Sequence, residues 1–164
     1  MVTRSAPRSL HVQRIVSGGQ TGVDRAALEL ARRAGIPIGG WCPAGGWAED
    51  LTEPPGVLAA FPELRPTPSS DPAERTRWNV RDSDATLVLT RGGVTSPGTA
   101  LTVEIADELG RPHLVADVAD VDAVRDWISG FATPLVLDVA GPRESEAPGI
   151  HAAATALLGG VLLR

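Results

Sequence analysis

The chain has 164 residues, 43% of them hydrophobic and 21% charged, and a formal net charge of −5. That size and composition suit one globular domain with its own core, and the acidic balance argues against a general nucleic-acid binder, which needs a basic face. All 15 basic residues are Arg, which excludes a Walker A lysine, a Schiff base and a Ser-Lys dyad.

The opening "MVTRSAPRSLHVQ" has basic residues but no apolar stretch of the kind a secretory signal needs. Residues 1–12 read as a mobile tail and 13–164 as the domain. The lone Cys42 excludes a disulfide framework or a multi-thiolate zinc site within one chain and fits a reducing compartment. No apolar run approaches the roughly 20 residues of a membrane span. The expected location is the cytoplasm.

Three segments then repeat one design: an apolar strand, a Gly-rich loop and an amphipathic helix. The first is "QRIV", "SGGQTG", "VDRAALELARRAG". In its helix Ala26, Ala27, Leu30, Ala31 and Ala34 line one side, opposite Arg25, Glu29, Arg32 and Arg33. Gly35 and Gly110 stand where helices are expected to end. A short strand follows near Ile36 to Gly40. Residues 43–70 are rich in Pro and Gly and read as a long surface excursion. "SDPAERTRWNV" reads as a helix start, with Asp71 as N-cap, Pro72 at the first position and Glu74 closing a capping box.

The second segment is "ATLVLT", "RGGVTSPG", "TALTVEIADELG". A strand near His113 to Asp117 and a helix from Val121 to Phe131 come next. The third segment is "PLVLDVA", "GPRESEAPG", "IHAAATALLGG", whose helix stripe is Ile150, Ala153, Ala154, Leu157, Leu158 and Val161. The strands are continuous apolar runs, as in sheets covered on both faces. Together these elements predict an α/β fold: one Rossmann-like domain, three-layer αβα with a mainly parallel sheet.

In such a sheet ligands lie beyond the carboxyl ends of the strands, where all three Gly-rich loops fall. Each loop opens a helix whose free N–H groups favour an anion. The candidate ligand-binding residues are Ser17, Gly18, Gly19, Gln20, Thr21, Gly22 and Asp24 in the first loop. Arg91, Gly92, Gly93, Ser96, Gly98, Thr99 and Thr102 come from the second, and Gly141, Arg143 and Ser145 from the third. Arg91 and Arg143 offer forks of N–H donors to a phosphate or oxyanion.

"GGQTG" is not the dinucleotide fingerprint, and residues 36–47 hold no acidic residue to meet a ribose. "GTALTVE" places no Ser on a nucleophile elbow. The three histidines are scattered and suggest no metal site. Arg75, Asn79 and Asp82 share one helix face, as a salt-bridge network or as ligand contacts. Glu49 and Asp50 are candidates for a magnesium site or an acid–base pair, Glu144 and Glu146 candidate helix caps. Trp41, Trp78 and Trp127 are expected to pack in the structure, and Trp47 to be exposed and able to stack on a flat ring.

"IVSGGQTGVDRAAL", "IPIGGWCP", "AED", "RTRWNVRDSDATLVL", "GTALTVEIA" and "DVAGPRESEAPGI" together resemble the molybdenum cofactor carrier proteins, the circularly permuted YpsA-like branch of the SLOG superfamily. The resemblance runs from residue 14 to about 160. It implies a Rossmann-like homo-oligomer, a dimer or tetramer, that binds molybdenum cofactor at its surface and passes it to molybdenum enzymes without turning it over. The alternatives that the wider superfamily implies are a phosphoribohydrolase-like nucleotide hydrolase and a nucleotide sensor. Two departures stand out. Where the family carries basic residues after "WCP", this chain has Ala44, Gly46 and Trp47. The hydrolase signature PGGxGTxxE is not matched either, because Glu104 falls five residues after Thr99.

Overall fold

The computed structural model describes residues 12–93, 96–131 and 134–163. The tail expected over residues 1–12 therefore lies, but for Val12, outside the described residues.

The five-stranded sheet has the order β2-β1-β7-β5-β6, with every pairing parallel. Its strands are β1 (Val12–Val16), β2 (Ile38–Gly39), β5 (Ala85–Thr90), β6 (His113–Asp117) and β7 (Leu135–Ala140). The helices are α1 (Val23–Arg33), α2 (Val57–Ala60), α3 (Pro72–Arg81), α4 (Pro97–Glu108), α5 (Val121–Ser129) and α6 (Ile150–Leu162). The Rossmann-like αβα architecture read from the sequence is the one observed. From β1 the chain leaves towards β2, and from β5 it leaves the other way, towards β6. β7 fills the gap between β1 and β5, so the point where the connections diverge lies at the strand β7 occupies.

The main core explains why these segments form these elements. Alternate residues of the central strands, Ala85, Leu87 and Leu89 on β5 with Leu135, Leu137 and Val139 on β7, face the apolar stripes of α1, α5 and α6. The opposite face meets α3 and α4, which pack on one another through Val80, Ile105 and Ala106. The stripe of α6 is as expected except at Ala153, which is only half-buried. Its Leu157, Leu158 and Val161 are covered by this chain's own core. Leu163 is exposed.

Two expectations need correction. The 43–70 excursion is ordered. β3 (Trp41–Cys42) pairs in parallel with β4 (Arg65–Pro66), and a 3-10 turn and α2 lie between them. The segment has its own small core of Cys42, Ala48, Val57, Phe61 and Leu64, closed by Leu28 of α1. Leu28 lies off the main stripe, so α1 is buried on two sides. The second correction is at α3. Asp71 caps it by accepting from Ala73 N at 3.0 Å, but Glu74 does not close the box. The Asp71 N–H is already given to Ser69 Oγ at 3.0 Å, and Glu74 Oε1 is buried without a partner.

Candidate ligand pocket

A cavity of about 350 Å³ opens beyond the carboxyl ends of β1 and β7, a volume within the range of small-molecule sites, roughly 300–1,000 Å³. Gly18, Gln20 and Asp24 line it from the first loop and α1, and Asp138 to Gly141 with Arg143 and Glu146 from β7 and its loop. The first turns of α4, Ser96 to Thr99 and Thr102, form another wall, and Pro72, Arg75, Thr76 and Asn79 of α3 the next. Trp47 reaches the cavity from the ordered excursion and remains 37% exposed.

Nine of the seventeen residues singled out from the sequence line this cavity: Gly18, Gln20, Asp24, Ser96, Gly98, Thr99, Thr102, Gly141 and Arg143. The others are held elsewhere. Ser17 donates to Val139 O at 2.7 Å and ties β1 to β7. Gly19 packs on Val57 and Leu64. Gly22, at φ 77°, lies so close to Pro142 and Arg143 that a Cβ would meet the Arg143 carbonyl carbon at 2.9 Å. Its role is close passage of two loops, which only glycine allows there. Arg91 donates to Pro148 O at 3.2 Å, and Gly92 N donates to Asp117 at 2.7 Å. Gly93 has open space around it and does not line the cavity.

Thr21 and Ser145 belong to a hub centred on Glu49. Thr21 Oγ1 donates to Glu49 Oε1, and Ser145 Oγ donates to Oε2 at 2.6 Å. Thr21 Oγ1 also accepts from Glu144 N at 3.1 Å. Gln20 Oε1 receives the N–H groups of Thr21 and Glu49 at 3.0 and 2.9 Å. Asp50 is paired with both terminal nitrogens of Arg25 at 2.9 Å. Glu49 therefore fastens the excursion to the first and third loops and Asp50 fastens it to α1, and neither lines the cavity. Partial burial raises the pKa of Glu49, but bonds from Ser145 and Thr21 and the charge of Arg143 hold it below the usual value.

The helix starts differ as well. Glu144 accepts from Gly149 N at 2.6 Å and His151 N at 3.0 Å, which closes the start of α6 as expected of a cap. Glu146 instead takes the N–H and Nε of Arg143 at 3.1 and 3.2 Å. At α1, Val23 N donates to Pro142 O at 3.3 Å. Of the three loop-to-helix starts, the first turn of α4 is the one with several residues on the cavity. Ser96 caps it by accepting from Thr99 N at 3.2 Å, and a Cβ on Gly98 would meet only open space. A ligand atom can approach the backbone there.

The deep wall carries two carboxyls and a guanidinium. Asp24 is 7% and Asp138 3% exposed. Arg75 Nη1 stands 3.6 Å from Asp24 Oδ2, which also accepts from Gln20 N at 3.3 Å. Burial raises the pKa of Asp24 and outweighs the opposing effect of Arg75. Burial and the neighbouring Asp24 push Asp138 up to about 8. The sequence marks Asp138 only as an acid inside an otherwise apolar strand, "PLVLDVA".

Other flagged side chains have structural partners. Asn79 clamps the backbone of Trp41, accepting from its N–H at 2.7 Å and donating to its O at 3.0 Å. Asp82 accepts from Trp41 Nε1 at 2.8 Å and pairs with Arg81. Trp41 and Trp78 meet edge to face at 4.7 Å. Cys42 is fully buried, and burial raises its thiol pKa, so it offers no ready thiolate. Glu104 is exposed and off the cavity. Among the described residues no group of three or more His, Cys, Asp or Glu is placed to hold a metal ion, and no helix is long and apolar enough to cross a membrane.

A parallel sheet covered on both faces, with a small-molecule-sized pocket beyond its strand ends, defines a Rossmann-like α/β protein. The chain belongs to the circularly permutated YpsA SLOG family, whose pattern matches residues 15–162. It is similar to the crystal structure named "Putative molybdenum carrier protein" from Syntrophus aciditrophicus SB. The two share 37% identity over 93% of this chain and 96% of that one, with a TM-score of 0.82. No curated protein matches the chain.

Proposed function

We propose that the protein binds and carries molybdenum cofactor, or a related phosphate-bearing pterin or nucleotide, in this pocket. The observation that carries the reading is the pairing of two unlike walls. The first turns of α4, with Ser96, Gly98, Thr99 and Thr102, face the cavity together with Arg143. This side suits a phosphate, through helix N–H groups, hydroxyls and a guanidinium. The same cavity holds the carboxyls of Asp24 and Asp138, suited to the polar edge of a ring, and it is also lined by Trp47, whose indole can cover a ring face. Family membership and the name of the similar structure support the same ligand class.

Carriage rather than hydrolysis is supported by where the candidate catalytic carboxylates lie. Glu104 is off the cavity, Glu49 is engaged by Thr21 and Ser145, and Asp24, which does line the cavity, is engaged by Arg75 at 3.6 Å. The reading includes a cytoplasmic homo-oligomer that hands its cargo to molybdenum enzymes. Exposed Val115 on the edge strand β6 and exposed Leu109 near it in the chain are apolar surface that a second copy can cover.

Native mass spectrometry of the anaerobically purified protein, titrated with molybdenum cofactor, AMP and a purine ribotide, tests the reading. Stoichiometric retention of the cofactor at unchanged mass is the expected result. Cleavage of a nucleotide, with no cofactor retained, overturns carriage in favour of nucleotide processing.

A further inference from the structure

The deep wall of the pocket carries chemistry that a phosphate does not need. Asp138 is 3% exposed yet reaches the cavity. Thr86 Oγ1 meets its Oδ2 at 3.3 Å, and among the described residues Oδ1 has no hydrogen-bond partner. A carboxyl oxygen on the cavity without a protein partner is free to accept from a ligand donor.

The surroundings of Asp138 determine which donor that is. Asp24 faces it from α1 and Arg75 from α3, and these two are engaged with each other at 3.6 Å. Thr86 comes from β5. α4 brings only the hydroxyls of Ser96, Thr99 and Thr102, and Arg143 and Glu146 stand on the loop after β7. Arg75 is thus balanced by Asp24, and the acceptor capacity of Asp138 is left for the ligand. An ionised carboxylate has two acceptor oxygens and no donor. Its best planar partner is a pair of adjacent N–H donors.

Resting on the reading that the pocket takes a phosphate-bearing heterocycle, we propose that Asp138 selects the ring, accepting two hydrogen bonds from the N–H and NH₂ edge of a 2-amino-4-oxo heterocycle. Guanine and pterin share this edge. Hypoxanthine keeps the ring N–H but lacks the amino group, and adenine offers one donor beside one acceptor.

Such a ring needs the carboxylate form, so ligand and proton compete. Burial holds the pKa of Asp138 at about 8 in the free protein. Affinity for the matching ring therefore rises as pH approaches that value, because only the ionised fraction is competent, and falls again where the ring N–H itself ionises.

Calorimetric titration of the full chain with GMP and neopterin monophosphate, against IMP and AMP, tests the proposal. In the wild-type protein at least one of the 2-amino-4-oxo ligands binds tenfold or more tighter than IMP and AMP, the size expected for a lost hydrogen bond to a charged group. Asp138→Asn, checked for folding by circular dichroism, brings that ligand to the level at which the same variant binds IMP. Between pH 6.5 and 8.5 the wild-type affinity for the preferred ligand gains at least tenfold more than that of Asp138→Asn, a comparison that cancels titration of the phosphate. Phosphate-dependent binding that is equal for all four rings overturns the assignment to Asp138 and leaves the pocket reading standing. If neither these ligands nor molybdenum cofactor bind, both fall.

Discussion

The guanidinium of Arg75 occupies the space where a side chain on Gly18 would begin. A Cβ on Gly18 would overlap Nη1 and stand 2.8 Å from Cζ, with Asp24 Oδ2 at 3.1 Å. Gly18 is therefore a glycine so that Arg75 can reach Asp24, and its φ is not positive. Gly18→Ala leaves the backbone unstrained but drives Arg75 away, which strands a nearly buried carboxyl. The expected cost is about 1–3 kcal/mol. Arg75→Gln costs a similar amount, and the double variant little more than the larger single one, because both remove one interaction. Urea denaturation of the four proteins checks this, and additive costs would show that the residues act independently.

The pair of buried acids sets a pH dependence of stability. Asp138 has a folded pKa of about 8 against an ordinary value of 3.8. Between those values the native state holds a proton that the unfolded chain has lost. The contribution is fully present below pH 3.8 and disappears as pH rises through about 8, so stability falls with increasing pH. Asp24, also raised, acts in the same sense. Glu49, Asp50, Asp82 and Asp117 are shifted the other way, so their contributions are steady above about pH 5. The urea midpoint of the wild-type protein should thus drop between pH 5 and pH 8. Asp138→Asn should flatten that drop and be the more stable protein at pH 8, by about 1–3 kcal/mol.

The sheet and its helices were legible because their signals are periodic. Continuous apolar runs gave β5 and β7, and the 3.6-residue stripes of α1 and α6 gave the covering helices. The ordered 43–66 segment was not legible. Its small core draws Cys42, Ala48, Val57, Phe61 and Leu64 from irregular positions, and only contact in space makes them a cluster. The candidate site was half legible for a related reason. Glycine-rich loops mark the rim of a sheet, but not which glycines face a ligand and which face another loop. Gly22 turns towards protein, and Gly98 towards open space. Arg75 reaches the pocket from α3, where its helix face reads equally well as a salt-bridge network, and Asp138 is a single acid at the end of an apolar strand just before the third loop, where no motif marks it.

Glu49 links three segments, so its removal should loosen all three at once. It holds Thr21 of the first loop and Ser145 of the third, with Arg143 Nη1 at 3.8 Å. Glu49→Ala should cost about 1–2 kcal/mol at pH 7. Hydrogen exchange should rise across residues 43–56 and 141–149 before it rises in β5. The pKa of Glu49 is depressed from 4.5, so the stabilisation is present above that value and lost as pH falls through the folded pKa. The gap between wild type and variant should therefore narrow at pH 3.5. A gap that stays constant would mean the side chain acts by packing, not by charge.

Trp47 separates ligand binding from folding. It stands 37% exposed on the cavity, whereas Trp41 and Trp78 pack on each other and Trp127 packs on Phe131 at 5.2 Å. A ring bound against Trp47 should quench its fluorescence and leave that of the other three largely unchanged. Trp47→Ala removes an aromatic face without opening a core cavity, so its melting temperature should stay close to that of wild type. Affinity for the carried heterocycle should fall by about 1–3 kcal/mol, the usual worth of a stacked base, which is roughly 5- to 150-fold. Trp47→Phe should keep most of the affinity and lose most of the quench. If Trp47→Ala binds as tightly as wild type, the ring lies elsewhere in the pocket, and the exposed indole serves the surface rather than the ligand.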